Sequence, residues 1–281
     1  MINHFIVTHF NIPIYTEFQS VRNSKTDFIR DEEYLDYRFA LFEKYNLASI
    51  GNQTFKDFKW IVLFHEDTPQ KYKEKMKNYQ QQVVQFCPYF LNDEESKNHL
   101  SYVKNIINNT IDTSKKVFVT RTDNDDAFHE RYLEEIQRIA SQQTYTGTYV
   151  INYSSGLVHL QSTKYTRRVE YPDNHFLTVI SDAPDIITPY DYGHSEFSKK
   201  LDLCNVSDPK NPMWLEIVHD KNVTNRVMIQ IFRGVVNSKI FEQFHVDIKW
   251  TPLGYCKIVC VSLIPTLHNA FKKFYKIIFS K

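Results

Sequence analysis

Short apolar runs alternate with longer amphipathic stretches along the first half of the chain. The runs "HFIVTHF", "KWIVLFHED" and "KKVFVT" are rich in β-branched and aromatic residues, and they predict three buried strands. The stretch "RDEEYLDYRFALFEKYNLASI" has apolar residues at helical spacing behind an acidic start, and residues 71–84 are polar and helix-prone. Because strands and helices alternate, this half predicts an α/β fold with a mainly parallel sheet flanked by helices.

The remaining segments carry weaker signals. One further helix is predicted to end near Asn108, before the third strand, and residues 127–143 predict an amphipathic helix. Residues 144–171 alternate like a hairpin in which "SSG" supplies the turn. Residues 172–213 have little periodicity, and "MWLEIVHDKN" after them predicts a last short strand.

The composition is that of a soluble globular protein. The chain has 281 residues, of which 42% are hydrophobic and 24% charged, enough for one large domain or two small ones. The net charge of +1 gives no argument for nucleic acid as a partner. The 4 Cys form no CxxC pair, which is typical of reduced thiols in a cytosolic protein. The start of the chain lacks a signal-peptide pattern, and no apolar run reaches the ~18 residues of a membrane-spanning helix.

The segment "VFVTRTDNDDAFHERY" places Asp123, Asp125 and Asp126 directly after the third predicted strand. Like charges this close repel each other, so water or a cation must offset them. One interpretation is an exposed turn in which Asp125 or Asp126 caps the next helix. The other is a site for Mg²⁺ or Mn²⁺, which prefer carboxylate oxygens. The position favours a site, because parallel sheets bind ligands at the carboxyl ends of their strands.

Four segments resemble motifs of one enzyme class. The segment "YRFALFEKYNLASIGNQTFKDFKWIVLF" resembles the opening of family-2 glycosyltransferases, and "TRTDNDDAF" resembles their D-x-D metal motif. Together with these, "ITPYDYGH" and "PMWLEIVHDKN" resemble a rhamnosyltransferase-like group within that class. The resemblance implies a GT-A fold, in which a Rossmann-like sheet binds a nucleotide sugar.

The resemblance also implies how the chain is organised. It covers residues 1–235, with a nucleotide-sugar half at 1–126 and an acceptor half at 127–235. Residues 236–281 then form a C-terminal extension with a helical tail. The expected architecture is therefore one mixed, mainly parallel α/β domain with an acceptor-side region behind it.

The same resemblance assigns residues to the site. It matches Asp123, Asp125 and His219 to ligands of a divalent cation, Mn²⁺ or Mg²⁺. For His219 the alternative is a hydrogen-bonded core histidine, and for Trp214 it is packing. Arg38 has the alternative of a salt bridge to a neighbouring acid. The full set comprises donor-binding residues (Thr8, His9, Arg38, Arg121, Asp123 and Asp126) and acceptor-side residues (His194 and Trp214).

One departure from the family pattern concerns the nucleobase. Typical family-2 enzymes end the second strand in two Asp, one of which binds uracil, whereas this chain has Phe64 and His65 there. Glu66 and Asp67 are the candidate substitutes, so the base of the donor stays open.

The implied reaction is an inverting transfer of a sugar, rhamnose in the named group, from a nucleotide diphosphate to a glycan or lipid-linked acceptor. A carboxylate must accept the proton of the attacking hydroxyl from within ~3 Å. The resemblance does not identify this base. Asp182 is favoured because it follows a strand-like segment, and Asp185, Asp191 and Glu196 are alternatives. The alternative for Asp182 is a turn-forming role beside Pro184.

Two other functions fit parts of the sequence. A metal-dependent phosphoesterase would also use clustered acids, although no second cluster of His and Asp suggests a two-metal site. A catalytically inactive, glycosyltransferase-like protein that binds carbohydrate would fit the altered "FHED" segment and the 15% aromatic content.

The C-terminal extension is basic. No acid occurs from Lys249 onward, and apolar residues recur at helical spacings between lysines (Phe271, Phe274, Tyr275 and Ile278). This pattern predicts an amphipathic helix that either contacts a membrane surface or docks on the domain. The expected location is therefore cytoplasmic, and peripheral at the inner face of the membrane if the tail binds lipid.

Overall fold

The structure, a computed structural model, describes residues 3–13, 29–219 and 238–249. Its strands are β1 (His4–His9), β2 (Lys59–His65), β3 (Phe86–Leu91), β4 (Val117–Arg121), β5 (Ala127–Phe128), β6 (Tyr149–Tyr153), β7 (Ser155–Leu160), β8 (Tyr165–Glu170), β9 (Leu177–Ser181), β10 (Asp202–Val206) and β11 (Trp214–Val218). Its helices are α1 (Glu32–Leu41), α2 (Ala48–Gly51), α3 (Gln70–Gln82), α4 (Asp93–Lys97), α5 (His99–Asn108), α6 (Tyr132–Ala140) and α7 (Phe197–Lys200).

The larger sheet has seven strands in the order β10-β6-β9-β4-β1-β2-β3. Strand β1 is parallel to β2 and β4, β2 is parallel to β3, and β10 is parallel to β6. Strand β9 runs antiparallel to both of its neighbours, β4 and β6. The sheet is therefore mixed but mainly parallel, and helices flank it, which confirms the predicted fold class.

A smaller sheet of four strands has the order β5-β11-β7-β8. Strand β11 is parallel to β7, and the other two pairs are antiparallel. Val158 and Trp214 of this sheet belong to the same buried cluster as residues of the larger sheet and of α6. The two sheets therefore share one continuous core.

The central strands are buried on both faces of the larger sheet. Phe5 and Val7 of β1 belong to one buried cluster, whereas Ile6 and its partner Trp60 on β2 belong to another. Such strands have no polar face, which explains the unbroken apolar runs in the sequence. Each fully buried side chain of this size contributes ~1.5–3 kcal/mol relative to an exposed one.

Helix α1 begins where its sequence predicts. The Asp31 side chain accepts a hydrogen bond from the backbone N–H of Tyr34, and Glu32 and Glu33 lie in the first turn. The helix then widens into a π-helical segment, Phe42–Leu47, before α2. Such widened turns are frequent at functional sites.

The segment before Asn108 contains a strand that the sequence analysis missed. Strand β3 pairs with β2 at the edge of the larger sheet, and four of its six side chains are only half-buried. Pro88 lies in this strand, and an edge position tolerates a residue that has no N–H to donate. The predicted helix begins only after Asn92, whose side chain caps α4 together with Glu95.

The "SSG" segment is not a hairpin turn, contrary to the prediction. The chain passes at Ser154 from β6 in the larger sheet to β7 in the smaller one. The hairpin pairs β7 with β8, and its turn follows Leu160. Gly156 serves close packing instead, because a Cβ there would overlap the ring of Trp214.

Residues 172–213, which have little periodicity, contain β9, α7 and β10, and β9 is the strand-like segment before Asp182. The last predicted strand is confirmed as β11. Most of the predicted extension, including residues 271–278 and any membrane contact they make, lies outside the described residues. Within the part of the chain that is described, no helix is both long and apolar enough to cross a membrane. The division of the chain at residue 126 stays a prediction.

Candidate active site

A cavity of about 1490 Å³ opens at the carboxyl edge of the larger sheet. His9 at the end of β1 and Arg121 at the end of β4 line it, followed by the Asp cluster. The segment Tyr171–Phe176 before β9 and Glu216 of β11 line the other side. The segment before β9 reaches this edge because β9 is antiparallel to its neighbours, so its amino end lies beside their carboxyl ends.

The Asp cluster is buried and is not a solvated turn. Asp125 and Asp126 are only 7% and 4% exposed. The side chain of Asn124 donates to the carbonyls of His9 and Phe10, at 3.1 and 3.0 Å. These bonds hold the turn against the end of β1. The charges of the cluster must therefore be offset by protein groups or by a bound cation.

The π-helical segment supplies a second anchor for this turn. Asn46, which is fully buried, donates from its side-chain amide to the carbonyls of Asp123 and Asp126, each at 2.9 Å. The sequence alone gives no sign of this contact between segments 77 residues or more apart. The backbone of the Asp cluster is thus held from two sides, which fixes where its carboxylates point.

Arg121 offsets the charge of Asp123. Its Nε and Nη2 each lie 3.2 Å from the Asp123 Oδ1. Desolvation in the cleft would raise the pKa of Asp123, but Arg121 and then His175 outweigh it and hold that pKa at about 2. Asp123 is therefore a carboxylate at any physiological pH, with a side chain 41% exposed to the cavity.

Asp125 lies between Arg38 and His219. Its Oδ2 is 3.1 Å from the Arg38 Nη1 and 2.8 Å from the His219 Nε2, and those two nitrogens are 3.2 Å apart. Burial acts to lower the pKa of Arg38, but Asp125 and Tyr34 raise it overall, so the guanidinium stays charged. The alternative predicted for Arg38, an ion pair with an acid, is present, but its partner lies inside the site.

Asp126 is the least compensated acid of the cluster. Its Oδ1 accepts a hydrogen bond from the backbone N–H of Ile217 at 2.8 Å, and its Oδ2 is 3.3 Å from the His175 Nε2. Burial first, and then Asp125 and Asp123, raise its pKa well above the usual range. Burial also lowers the pKa of His175, so this imidazole offers little positive charge. No Lys or Arg of the described residues lies within 4.0 Å of Asp126.

Asp123, Asp126 and His175 form a group that fits a divalent cation. One ligand atom from each lies within 4.8 Å of the others. Two carboxylates and an imidazole are a suitable donor set for Mn²⁺, and a cation would relieve the repulsion at Asp126. His175 was not among the residues predicted from the sequence. The predicted pair, Asp125 and His219, lies beside this group with Arg38 already bound to it.

The two predicted donor residues of β1 have different surroundings. Thr8 is fully buried, and its hydroxyl accepts a hydrogen bond from the Trp60 Nε1 at 3.0 Å, which is a structural contact. His9 faces the cavity and stacks on Tyr190, with 4.0 Å between ring centroids. The Arg121 guanidinium lies over the same Tyr190 ring at 4.9 Å. An aromatic wall therefore adjoins the Asp cluster.

The end of β2 does not line the cavity. The His65 Nε2 is 3.2 Å from Asp93, and Asp67 pairs with Arg30. Neither these residues nor Glu66 border the cavity. Their positions give no support to the idea that Glu66 or Asp67 replaces the base-reading acid of typical family-2 enzymes.

The candidate bases Asp182, Asp185 and Asp191 lie in different surroundings and do not meet in one site. Asp182 is exposed and pairs with Lys116 at 2.7 Å, at the opposite edge of the sheet from the cavity. Asp185 is exposed and does not border the cavity. Asp191 does border it, but its carboxylate is held by Lys104 at 2.6 Å and by the N–H and hydroxyl of Thr188. The placement argues against Asp182 and Asp185.

The predicted acceptor-side residues differ in accessibility. His194 borders the cavity and is exposed, as is Glu196, which the sequence offers as an alternative base. Trp214 lies in the wall with none of its surface exposed, and its Nε1 donates to the carbonyl of Tyr153 at 2.7 Å. Trp214 therefore packs in the core, which is the alternative that the sequence analysis gave to an acceptor-side role. The sequence analysis missed the segment Tyr171–Phe176 as part of the site, because it is a polar stretch without periodicity before the strand-like segment that forms β9.

Comparisons with known proteins agree with the glycosyltransferase resemblance. A model of the family described as "Putative rhamnosyl transferase" matches residues 3–231. A comparison with curated proteins gives no match. Among solved structures, S. aureus TarS matches with a TM-score of 0.42 and 9% identity, over 77% of this chain and 37% of that chain.

Two further solved structures show a similar degree of likeness. A complex of S. aureus TarS 1-349 with UDP has a TM-score of 0.41 and 12% identity, over 78% of this chain and 61% of that chain. A "putative nucleotide-diphospho-sugar transferase" from Desulfovibrio desulfuricans G20 has a TM-score of 0.35 and 10% identity, over 78% of this chain and 83% of that chain. The chain spans less than two thirds of the TarS chains it matches. Because the family model covers most of its length, this chain belongs to the family described as "Putative rhamnosyl transferase".

Proposed function

We propose that this protein transfers a sugar, with rhamnose as the first candidate, from a nucleotide diphosphate to a hydroxyl of a glycan or lipid-linked acceptor. The transfer inverts the anomeric carbon and requires Mn²⁺ or Mg²⁺. The observation that carries this proposal is the convergence of carboxylates, guanidinium groups and an imidazole in one cavity (Asp123, Asp125, Asp126, Arg38, Arg121 and His175), with His219 buried behind it against Asp125. Such groups bind a diphosphate together with its cation.

Asp123 is common to two sets of ligands that could hold the cation. In one set Asp126 and His175 complete the site, and in the other, predicted from the sequence, Asp125 and His219 do so. The charge balance favours the first set, because Arg38 already offsets Asp125 whereas Asp126 has no cationic partner among the described Lys and Arg residues. When bound, the cation would offset charge that develops on the diphosphate.

The chain's own residues have distinct tasks on the donor side. Arg121 holds Asp123 ionised and lies over Tyr190, so it is placed to meet the phosphates of a nucleotide beside the aromatic wall. His9 lines the cavity with its ring, but both ring nitrogens are buried and have no hydrogen-bond partner among the described residues, and burial lowers the pKa of this histidine well below the ordinary value.

The phosphoesterase alternative has less support. Within residues 3–13, 29–219 and 238–249, a single group of three candidate metal ligands is present, whereas a two-metal hydrolase needs ligands for two ions. A hydrolase would also release product without a sugar acceptor. Measuring turnover with and without an acceptor therefore separates the two functions.

The first test is a thermal-shift panel of UDP, dTDP and GDP and their sugars, with and without MnCl₂. We expect one nucleotide to raise the melting temperature only when Mn²⁺ is present. Asp126→Asn and Asp125→Asn are compared side by side, since loss of the shift in one of them identifies which ligand set is used. Asp182→Asn is the matched control. No shift with any nucleotide in folded protein would refute the proposed function.

Stereochemistry is tested with the donor that binds. Proton NMR of the product formed from that sugar donor reports the anomeric configuration directly. Inversion relative to the donor is expected, and retention would refute this part of the proposal.

A further inference from the structure

The loop before β9 is held unusually firmly for a segment without regular structure. Asn174 donates to the carbonyls of Tyr153 and Tyr171, each at 2.8 Å, and accepts from the Phe176 N–H at 2.8 Å. Tyr171 in turn donates its N–H to the carbonyl of Ser154 at 2.8 Å. These bonds satisfy the loop backbone, so the side chains that face the cavity are presented from a rigid support.

Two more contacts fix the carbonyls of Pro172 and Phe176 in this loop. The Asn152 side chain donates to the carbonyl of Pro172 at 2.7 Å, and the Tyr132 hydroxyl donates to the carbonyl of Phe176 at 2.7 Å. Asn152 is 2% exposed and Tyr132 is fully buried. The loop is therefore anchored to β6 and α6, and all of its residues from Tyr171 to Phe176 line the cavity.

Tyr171 is an exposed aromatic residue inside the cavity. Its side chain lies nearly parallel to the buried Trp214, at 22° and 6.0 Å between ring centroids, yet 39% of the residue stays exposed. Its hydroxyl accepts a hydrogen bond from the Nη2 of the buried Arg167 at 3.1 Å. An aromatic ring that is fixed at its edge and backed by a second ring offers a flat apolar surface at no further ordering cost.

Asp173, in the same loop, has His194 as an electrostatic neighbour but is not held by a direct contact. It makes no hydrogen bond or ion pair with any residue that the structure describes, although it is exposed and borders the cavity. Other acids of the cavity are already engaged, as with Asp191 and Lys104 or Asp125 and Arg38. A carboxylate without a cationic partner keeps its lone pairs available to an incoming hydroxyl group.

We propose that Tyr171 and Asp173 form the acceptor subsite, that its ligand is the pyranose ring of a glycan, and that Asp173 is the catalytic base. The ring of Tyr171 stacks on the apolar face of the sugar, which brings one hydroxyl against the Asp173 carboxylate. The hydroxyl oxygen forms a bond to the anomeric carbon of the donor while the bond from that carbon to the diphosphate oxygen breaks. The proton passes to Asp173, and the electron pair leaves with the nucleotide diphosphate.

This inference rests on the proposed function and gives its acceptor a chemical class. It replaces Asp182 as the base with a carboxylate on the same side of the sheet as the Asp cluster. It also explains why Trp214 is buried behind the cavity: the ring supports Tyr171 and Phe176, with which it stacks, and does not contact the acceptor.

The binding part is tested by saturation-transfer NMR on the full chain with Mg²⁺ and the nucleotide that binds. The probes are the methyl pyranosides of rhamnose, glucose and galactose. Tyr171→Ala is compared with Tyr145→Ala, because Tyr145 is similarly exposed, at 36%, but does not border the cavity. We expect at least one probe to receive saturation in wild type and Tyr145→Ala, and none in Tyr171→Ala.

The catalytic part is tested with Asp173→Asn against Asp182→Asn, using the probe that binds as acceptor and measuring nucleotide release. Loss of a general base is expected to lower kcat by about 100-fold or more in Asp173→Asn only, with nucleotide affinity and probe binding unchanged. The effect of Asp173→Asn should be large on kcat and small on KM. Both substitutions are at exposed positions, so melting curves should match that of the wild type.

The outcomes separate this inference from the proposed function. If the wild type binds a nucleotide with metal but no probe, or if Tyr171→Ala binds probes like the wild type, the pyranose subsite is wrong. If Asp173→Asn turns over at the wild-type rate, or if the wild type binds donor and probe yet releases no nucleotide, the assignment of the base is wrong. If no nucleotide binds at all, the proposed function itself fails and this inference falls with it.

Discussion

The two edges of the larger sheet carry the same kinds of residue and use them differently. At the amino edge Asp182 has a single lysine partner, Lys116, and most of its carboxylate faces solvent. At the carboxyl edge Asp123, Asp125 and Asp126 share a turn in which Asp125 and Asp126 are buried, and the described arginines pair with Asp123 and Asp125 but not with Asp126. Acids occur at both edges, but only the candidate site has buried negative charge that the described protein groups do not offset.

Strand direction decides to which edge a residue belongs. Ser181, the last residue of β9, pairs with Val117, the first residue of β4, because the two strands are antiparallel. A residue that follows β9 therefore leaves the sheet at the amino edge, whereas one that precedes it enters the cavity. Asp182, the base favoured from the sequence, therefore lies at the amino edge, and its catalytic role stays a prediction that this placement does not support.

The largest effect is expected from removing charge at the carboxyl edge. We expect Asp126→Asn to lose metal-dependent nucleotide affinity by about 100-fold or more, because a ligand of the cation is gone. Without metal the same variant should melt at a higher temperature, since burial and two neighbouring carboxylates penalise the charge of Asp126. Titration calorimetry measures the nucleotide affinity, and thermal melting measures the stability without metal. A variant that binds metal and nucleotide normally would contradict the favoured ligand set.

The next effect concerns the support behind the cavity. Gly156→Ala should lower the free energy of unfolding by about 1–3 kcal/mol, because the new methyl group must displace the buried ring of Trp214. Gly193→Ala is the matched control, since its Cβ would make only ordinary contacts, the nearest at 3.7 Å. Urea unfolding measures both. Equal stabilities would show that the Trp214 ring can move without cost.

A third prediction uses the buried histidine of β1. His4 bonds to the Thr120 hydroxyl at 2.9 Å and to the Gln137 side chain at 3.0 Å, and burial lowers its pKa to about 3. The unfolded chain then binds a proton near pH 6.5 that the folded chain does not, so stability is present above that pH and is lost as the pH falls. Between pH 7 and pH 5 the loss should be about 2 kcal/mol.

The control for this prediction is His4→Gln, which removes the titrating group. Urea unfolding at both pH values should show a smaller loss for this variant than for the wild type. Equal losses would assign the pH dependence to other groups, such as His159, whose pKa burial lowers to about 4.

The smallest effect is expected at the amino edge. The pair formed by Lys116 and Asp182 is exposed, with side-chain exposures of 34% and 58%, so Asp182→Asn should change stability by only about 0–1 kcal/mol. Turnover and donor binding should stay at the wild-type level. A large loss of turnover would restore Asp182 as the catalytic base and remove the contrast between the two edges.

Much of the fold was predictable from local pattern. Strands β1, β2 and β4 were recognised because each is a short apolar run buried on both faces, and α1 because acids and an Asp cap mark its start. Strand β3 was missed because it is a half-buried edge strand with a proline, whereas β9, a run of five buried residues, was recognised only as a strand-like segment before Asp182. The pattern of apolar residues predicts elements that are fully buried, and the prediction fails for strands that are short or only partly buried.

The sequence by itself determined the acidic turn at the end of β4 and the family to which the chain belongs, because both depend on residues that are close together in the chain. Only the tertiary structure decided which groups meet that turn. His175 reaches Asp126 across 49 residues, and His219 and Arg38 reach Asp125 across 94 and 87. Such contacts depend on strand order and direction, which arise from the packing of the whole sheet and leave no periodic trace in the chain.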